Sequence, residues 1–206
     1  MKAVGGHCLP EALRKLDGML LRAYGPKSND RDEDAVTSLV HTILSQNTTD
    51  RTSDRAFASL LGRFAGWEDV LSADVSEVAD SIRQGGLADQ KAQSIQAVLG
   101  RIKKDRGEIS LEFLRGLPEG EVMDYLTSLK GVGPKTAACT MLFALGKKAF
   151  PVDTHVHRLA NRLGIVTTKS AEETQILMTE AADMEICYSL HLNMIQHGRQ
   201  IGRAHV

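Results

Sequence analysis

The fold is decided by one short stretch, Leu129-Lys130-Gly131-Val132-Gly133-Pro134-Lys135-Thr136-Ala137-Ala138. A helix that enters this stretch is expected to end at the glycines, which allow conformations forbidden to other residues. Pro134 suits the first position of a new helix, where its missing N–H costs nothing. The N–H groups around Gly131 and Gly133 would point outward without partners, which suits a phosphate group. The stretch therefore predicts a helix, a hairpin at 129–134 and a second helix.

The rest of the chain also has helical periodicity. Apolar residues recur at three- and four-residue spacing between caps and glycines, and no segment alternates convincingly as a strand. We expect an all-α fold with helices at 10–24, 35–45, 50–64, 75–84, 90–106, 119–130, 134–145, 154–163, 171–182 and 185–201. The apolar pattern breaks at 147–152. This break favours two lobes, a six-helix lobe at 33–146 and a second lobe made from 1–32 and 147–206.

Length and composition exclude several classes of protein. A net charge of −1 over 206 residues argues against a protein that coats nucleic acid by bulk electrostatics. The cysteines Cys8, Cys139 and Cys187 lack metal-ligand spacing and predict reduced thiols in an intracellular protein. No segment approaches the roughly 20 apolar residues that a membrane span needs. We expect a soluble monomer in the cytoplasm or nucleoid, or in a nucleus.

Basic side chains are concentrated in two places. Between positions 130 and 162, one acid, Asp153, stands against six basic side chains, namely Lys130, Lys135, Lys147, Lys148, Arg158 and Arg162. The second cluster consists of Arg101, Lys103, Lys104 and Arg106. Either cluster alone could simply be the solvent-exposed face of a helix, but the first cluster coincides with the hairpin.

Two residues are candidates for chemistry. Lys135 lies in the first turn of a predicted helix, at the positive end of the helix dipole, where a carboxylate would be favoured. That field would favour the neutral amine, the form that a nucleophile needs, although a solvated lysine lying along the helix is the alternative. Asp153 lies at a predicted N-cap, and capping alone would explain it. His155 and His157 point in different directions on this helix and make a poor metal pair.

Five short motifs follow one another along the chain: Leu44-Ser45-Gln46-Asn47-Thr48-Thr49-Asp50, Gly85-Gly86-Leu87 followed by Lys91, the hairpin from Leu129 to Thr136, Val152-Asp153-Thr154-His155, and His197-Gly198-Arg199. In kind and order they resemble the helix-hairpin-helix (HhH-GPD) DNA glycosylases, of which endonuclease III is the type. The resemblance covers most of the chain. It implies a base-excision glycosylase with abasic-site lyase activity on duplex DNA, acting on oxidised pyrimidines.

The resemblance also implies roles for single residues. Lys135 matches the lysine of bifunctional members, which forms a Schiff base with the sugar, and Asp153 matches the carboxylate shared across the family. The DNA contacts would come from Gln46, Asn47, Leu87, Lys130, Gly131, Gly133 and Thr136. Gln46, Asn47 and Leu87 would fill the gap left by a flipped nucleotide. The carbonyls of Thr127, Leu129 and Val132 match those that hold Na⁺ or K⁺, and no other cofactor is implied.

The sequence departs from the family pattern at two points. Gly202 stands near the place where many relatives carry the first of four cysteines that bind a [4Fe–4S] cluster, so we expect no cluster in this chain. A cluster-free branch and a shortened C-terminus would both explain this. Asn47 stands where endonuclease III has a glutamine, so the partner-base preference does not carry over.

Two other functions remain open at this point. One is a glycosylase of the same fold that acts on mismatched uracil or thymine, or on an oxidised purine. The other is a DNA-binding module that holds phosphates and cuts no bond. The joint presence of Lys135 and Asp153 favours an enzyme over a phosphate clamp. The base pocket, formed by scattered side chains, does not reveal the substrate.

Overall fold

The computed structural model describes residues 8–28 and 34–202, and these ranges contain helices and no β-strand. The α-helices are α1 (Leu9–Tyr24), α2 (Ala35–Ser45), α3 (Asp50–Arg63), α4 (Trp67–Ser72), α5 (Val75–Ser81), α6 (Ala88–Arg106), α7 (Glu119–Ser128), α8 (Pro134–Phe143), α9 (Thr154–Arg162), α10 (Ala171–Ala181) and α11 (Met184–Gln200). Two 3₁₀ turns lie at Arg83–Gly85 and Glu112–Gly116. The predicted all-α fold is confirmed.

The structure differs from the sequence prediction in three short elements. Helix α4 and the 3₁₀ turn at Glu112–Gly116 were not predicted, because a segment of six residues or fewer is too short to establish a periodic pattern. The helix predicted at 75–84 ends at Ser81, and the chain tightens into the 3₁₀ turn Arg83–Gly85. Tight turns of this kind are frequent at helix ends.

The chain divides into two compact units. The hairpin unit comprises residues 34–140, and the terminal unit comprises residues 8–28 and 141–202, as far as the structure describes them. The division lies inside α8, after Thr140, whereas the sequence pattern placed it after 146. The physical reason is that α8 continues past the division, and its Leu142 is buried in the core of the terminal unit.

Helix α6 is the centre of the hairpin unit. It packs against α2, α4 and α5, and its inward face carries the fully buried residues Ala92, Ile95, Leu99 and Ile102. This three- and four-residue spacing is that of an amphipathic helix. All six helices predicted for this lobe are present, together with the short α4. The hairpin and the loops that carry the other candidate residues are therefore arranged around one buried helix.

The terminal unit is built around α9 and α11. Helix α11 packs against α1 and α9, and α9 also contacts α10. The buried core of this unit includes Leu13, Phe150, Val156, Leu190 and Met194. None of the helices in residues 8–28 and 34–202 is both long and apolar enough to cross a membrane.

One buried acid in the terminal unit is poorly solvated. Asp17 on α1 is 7% exposed, and its Oδ1 atom has no hydrogen-bond partner in the described part of the chain. Burial raises the pKa of the Asp17 carboxyl, because a low-dielectric environment disfavours the charged form. Burial of this carboxyl therefore opposes folding, and more so as the pH rises.

We predict that Asp17→Asn raises the melting temperature by a few degrees at pH 7 and by much less at pH 4. A carboxyl whose folded-state pKa is raised loses stability as the pH climbs from its unfolded value, about 3.9, through the folded value. Asparagine does not titrate, so the variant escapes this loss. Thermal melts from pH 4 to 8 test this, with the exposed Asp124→Asn as control. A stability difference that does not grow with pH would contradict the prediction.

Candidate functional site

The hairpin lies against α6, and Gly131 is the residue that permits it. Gly131 has φ = 83°, a left-handed conformation that costs other residues about 1–2 kcal/mol. A Cβ at this position would also lie 2.8 Å from the Oγ atom of Ser94 on α6. Glycine is therefore required twice, once for the backbone conformation and once for the close approach.

Gly133 has a different role. Its φ lies outside the left-handed range, so the backbone conformation does not by itself require glycine at this position. Its carbonyl accepts the Ala137 N–H at 3.0 Å, which makes Gly133 the N-cap of α8. A Cβ at Gly133 would meet nothing within 4 Å. The position is thus open at the surface, where a missing side chain would let a ligand approach the backbone.

Lys135 lies two residues after Gly133. Helix α8 begins at Pro134, as predicted, so Lys135 lies in the first turn. The side chain is half-buried, and its ammonium forms no ion pair or hydrogen bond within residues 8–28 and 34–202. The backbone N–H groups of Lys135 and Thr136 belong to the first turn of a helix and have no intrahelical acceptor. The start of α8 therefore combines backbone amide donors with the amine of Lys135, which has no internal partner in the described part of the chain.

Gln46 connects the loop after α2 to the hairpin. Its Nε2 atom donates hydrogen bonds to the Gly131 carbonyl at 3.2 Å and to the Thr136 Oγ1 atom at 3.1 Å. The Thr136 side chain is buried, with 4% of its surface exposed. The Thr136 hydroxyl is engaged inside the protein. The predicted contact of Thr136 with DNA would therefore come from its backbone N–H.

Asn47 and Leu87 share an unusual backbone conformation. In the described part of the chain they are the only residues other than glycine with positive φ, at 54° and 51°. Both are exposed, and Leu87 shows 51% of its surface to solvent. Leu87 is therefore not a buried core residue that packs two helices together. Strained, exposed residues of this kind are concentrated at ligand-binding sites.

Lys91 is a residue whose importance was not recognised from the sequence, where it appeared only as part of a motif. Its side chain is 4% exposed, and its Nζ atom donates to the Leu44 carbonyl at 2.7 Å and to the Gly85 carbonyl at 2.9 Å. Burial lowers the pKa of Lys91. The only sequence signal was a lysine on the apolar face of α6, next to the buried Ala92.

Asp153 is the N-cap of α9, as predicted. Its Oδ1 atom accepts the backbone N–H groups of His155 at 2.9 Å and Val156 at 2.8 Å. The residue is half-buried, and its Oδ2 atom has no hydrogen-bond partner in the described part of the chain. One oxygen thus fixes the carboxylate in place while the other remains available.

The motif His197-Gly198-Arg199 supports the helix that Asp153 caps. A Cβ at Gly198 on α11 would lie 2.9 Å from the Cβ of His155, so only glycine allows α9 and α11 to approach this closely. The Arg158 Nη2 atom donates to the Gly198 carbonyl at 2.8 Å. These contacts fix the position of the α9 N-terminus relative to α11.

Several side chains of the two basic clusters are engaged within the protein. In the first, Arg158 is bound internally and the Lys148 ammonium donates to the Glu180 carbonyl at 3.1 Å. The second cluster is largely paired within the hairpin unit, through Arg101–Asp105, Lys103–Glu68 and the stacking of Arg106 on Phe113. The candidate interface is therefore better defined by the hairpin and the two loops that carry Asn47 and Leu87 than by total charge.

Comparison with known proteins identifies the family of this chain. The family model for the "HhH-GPD superfamily base excision DNA repair protein" matches residues 40–183. A protein of Arabidopsis thaliana described as a candidate DNA glycosylase is 42% identical over 83% of this chain and 59% of its own length. Endonuclease III of Thermotoga maritima is 30% identical over 84% of this chain and 77% of its own length.

The solved structures agree with the sequence relatives. An endonuclease III trapped as a covalent intermediate with DNA has a TM-score of 0.78 and 25% identity, and the match covers 94% of this chain and 88% of that one. The all-α fold with its helix-hairpin-helix is thus the fold of endonuclease III. This chain belongs to the HhH-GPD superfamily of base excision DNA repair proteins. It spans less than two thirds of the length of the Arabidopsis relative.

The two hairpin glycines allow a matched test of the geometry. We predict that Gly131→Ala destabilises the protein by at least about 1–2 kcal/mol, the cost of left-handed φ, because its Cβ would also strike Ser94. Gly133→Ala has neither penalty and is expected to destabilise the protein less, because it only replaces a glycine N-cap by the less favourable alanine. Urea unfolding of both variants measures the difference. Equal effects of the two substitutions would show that this description of the hairpin is wrong.

Proposed function

We propose that this chain is a base-excision DNA N-glycosylase with associated abasic-site lyase activity, which removes oxidised pyrimidines from duplex DNA through a Schiff base on Lys135. The observation that carries the proposal is the start of α8. There, Lys135 lies two residues after the open Gly133, and its ammonium forms no ion pair or hydrogen bond in the described part of the chain. The backbone amides of Lys135 and Thr136 lie in the same first turn and have no intrahelical acceptor. A phosphate of the damaged strand would be held by these amides, with Lys130 exposed beside them.

The reaction starts with an extruded nucleotide. The Lys135 amine attacks C1′ of the deoxyribose and forms a C–N bond, while the bond from C1′ to the base breaks and the base leaves with its electron pair and a proton. Opening of the sugar ring at O4′ then gives a protonated imine between Lys135 and C1′. Loss of a proton from C2′ breaks the C3′–O bond and releases the 3′ phosphate. Water finally hydrolyses the imine and frees Lys135.

Asp153 supplies a negative charge to this reaction. A carboxylate with one free oxygen can accept a proton from the Lys135 ammonium and stabilise the positive charge that develops on the sugar as the base departs. The N-cap bonds to His155 and Val156 hold the carboxylate in one orientation, which avoids the cost of reorganising it during the reaction. Capping and catalysis are thus compatible roles for one residue.

Asn47 and Leu87 take the place of the extruded nucleotide. Leu87 is an exposed apolar residue on a tight turn and is suited to wedge between base steps. Asn47 carries a short amide that can bond to the unpaired partner base. Gln46 bonds to the hairpin, so its contribution is to hold this loop beside Gly131. The same hairpin and loops would serve any damaged base, so the preference for oxidised pyrimidines follows from the likeness to endonuclease III alone.

The hairpin carbonyls fit a monovalent cation. The Leu129 carbonyl accepts the Val132 N–H at 3.1 Å and keeps a second lone pair, while the carbonyls of Thr127 and Val132 accept no backbone N–H in the described part of the chain. Bound Na⁺ or K⁺ would add positive charge beside the phosphate site. No other cofactor is needed for the chemistry of Lys135 and Asp153.

Borohydride trapping tests the covalent step. We predict that the protein forms a borohydride-stable adduct with duplex DNA that carries an abasic site, and that Lys135→Ala abolishes it. Lys169→Ala, at an exposed position on the terminal unit, is the control and is expected to trap normally. Folded, DNA-binding wild-type protein that gives no adduct would exclude the lyase. Base release from a panel with oxidised pyrimidines, mismatched uracil or thymine, and an oxidised purine identifies the substrate.

Asp153→Asn separates the charge of this residue from its capping role. The asparagine oxygen can still accept the two backbone N–H groups, so we expect normal melting and DNA affinity within about twofold, while base release slows by about 100-fold or more. Single-turnover kinetics and a binding titration measure the two effects. If affinity fell as far as the rate, Asp153 would be a structural cap and not part of the reaction.

A further inference from the structure

The buried ammonium of Lys91 joins two loops that are far apart in the sequence. One acceptor, the Leu44 carbonyl, lies near the end of α2, just before Gln46 and Asn47. The other, the Gly85 carbonyl, lies in the turn that leads to Leu87. Neither carbonyl accepts a backbone N–H in the described part of the chain. Lys91 is therefore the donor that satisfies both.

The two hydrogen bonds of Lys91 are strong because their donor is charged and buried. Hydrogen bonds from a charged donor are about twice as strong as neutral ones, and this donor is 4% exposed. No carboxylate forms an ion pair with Lys91 within residues 8–28 and 34–202. The burial of the charge is thus offset by backbone dipoles alone. Such an arrangement fixes the distance between two loop ends, as both carbonyls must point at one nitrogen.

The loops held in this way are those with strained backbones. Asn47 follows the Leu44 carbonyl by three residues, and Leu87 follows the Gly85 carbonyl by two. Positive φ at both residues persists only if the surrounding structure imposes it. The Gly85 backbone is also tightly packed, since a Cβ there would lie 3.0 Å from the Cβ of Ala56 on α3. Lys91 thus acts at the base of both loops.

We propose that Lys91 is a positioning residue for DNA engagement, whose ammonium sets the spacing between Asn47 and Leu87 so that both enter the duplex at one extruded nucleotide. This proposal rests on the proposed function, because it takes these two residues as the gap-filling pair. Lys91 itself touches no DNA, since its side chain is buried. Its effect is on the preference for a duplex with an abasic site over an intact duplex.

The test uses binding, so that it does not depend on turnover. Lys91→Met keeps the length of the side chain and removes the donors, and Lys104→Met on the exposed face of the same helix is the matched control. The probe is a duplex with a tetrahydrofuran abasic analogue opposite 2-aminopurine, compared with an intact duplex. We expect Lys91→Met to lose about tenfold of the preference for the abasic duplex, together with most of the 2-aminopurine fluorescence change. Affinity for intact duplex should stay within about twofold.

A second set of variants separates positioning from general stability. In a background of Asn47→Ala with Leu87→Ala, the side chains that Lys91 would position are gone, so adding Lys91→Met should change the preference by less than about twofold. An undiminished effect in that background would overturn the proposal. If Lys91→Met does not fold, Lys91→Gln, which keeps two donor hydrogens on a shorter chain, replaces it, and a partial loss of preference is expected.

The outcomes distinguish this proposal from the proposed function. Wild-type protein that prefers the abasic duplex but releases no base and traps no DNA would overturn the enzymatic proposal and leave the role of Lys91 intact. Unchanged preference in folded Lys91→Met would overturn the role of Lys91 and leave the enzyme intact. Wild-type protein with no preference for the abasic duplex would overturn the positioning role, because no gap is then filled.

Discussion

Unpaired backbone groups at helix ends are the constraint on which the rest of this structure depends. An all-helical fold leaves amides at each helix start and carbonyls at each helix end without partners. At the start of α9 the amides are satisfied by Asp153, and near the end of α2 the Leu44 carbonyl is satisfied by Lys91. At the start of α8 the amides of Lys135 and Thr136 have no such partner within residues 8–28 and 34–202. The candidate site therefore lies where backbone donors are left without a partner from the described part of the chain.

The candidate residues share a supporting framework as well as a surface. Helix α6 contributes Lys91 to the two loops and Ser94 to the hairpin, one turn apart on one helix. Gln46 then bonds the first loop to the hairpin. A change in any one of these contacts would be transmitted to the others, so substitutions in this region are not expected to have additive effects.

Periodicity was enough to predict the long helices and the hairpin, because both leave local signals in the sequence. It was not enough for α4, which is too short to show a period, nor for the conformation of Gly133, which glycine alone does not specify. The bonds of Lys91 join Leu44 to a lysine 47 positions later, and no local pattern encodes such a contact. Capping alone would explain Asp153 from its local sequence, and only the resemblance to the glycosylase family implies a role for it in the chemistry proposed for Lys135.

The left-handed backbone at Asn47 and Leu87 has a consequence for the way this protein tolerates change. Glycine would relieve the strain at either position and would remove a side chain proposed to enter DNA. Laboratory evolution that selects only for heat resistance would therefore drift toward glycine at these positions and yield more stable proteins that lack both side chains proposed to contact DNA. At both positions the side chain proposed to contact DNA is thus present at the expense of backbone stability.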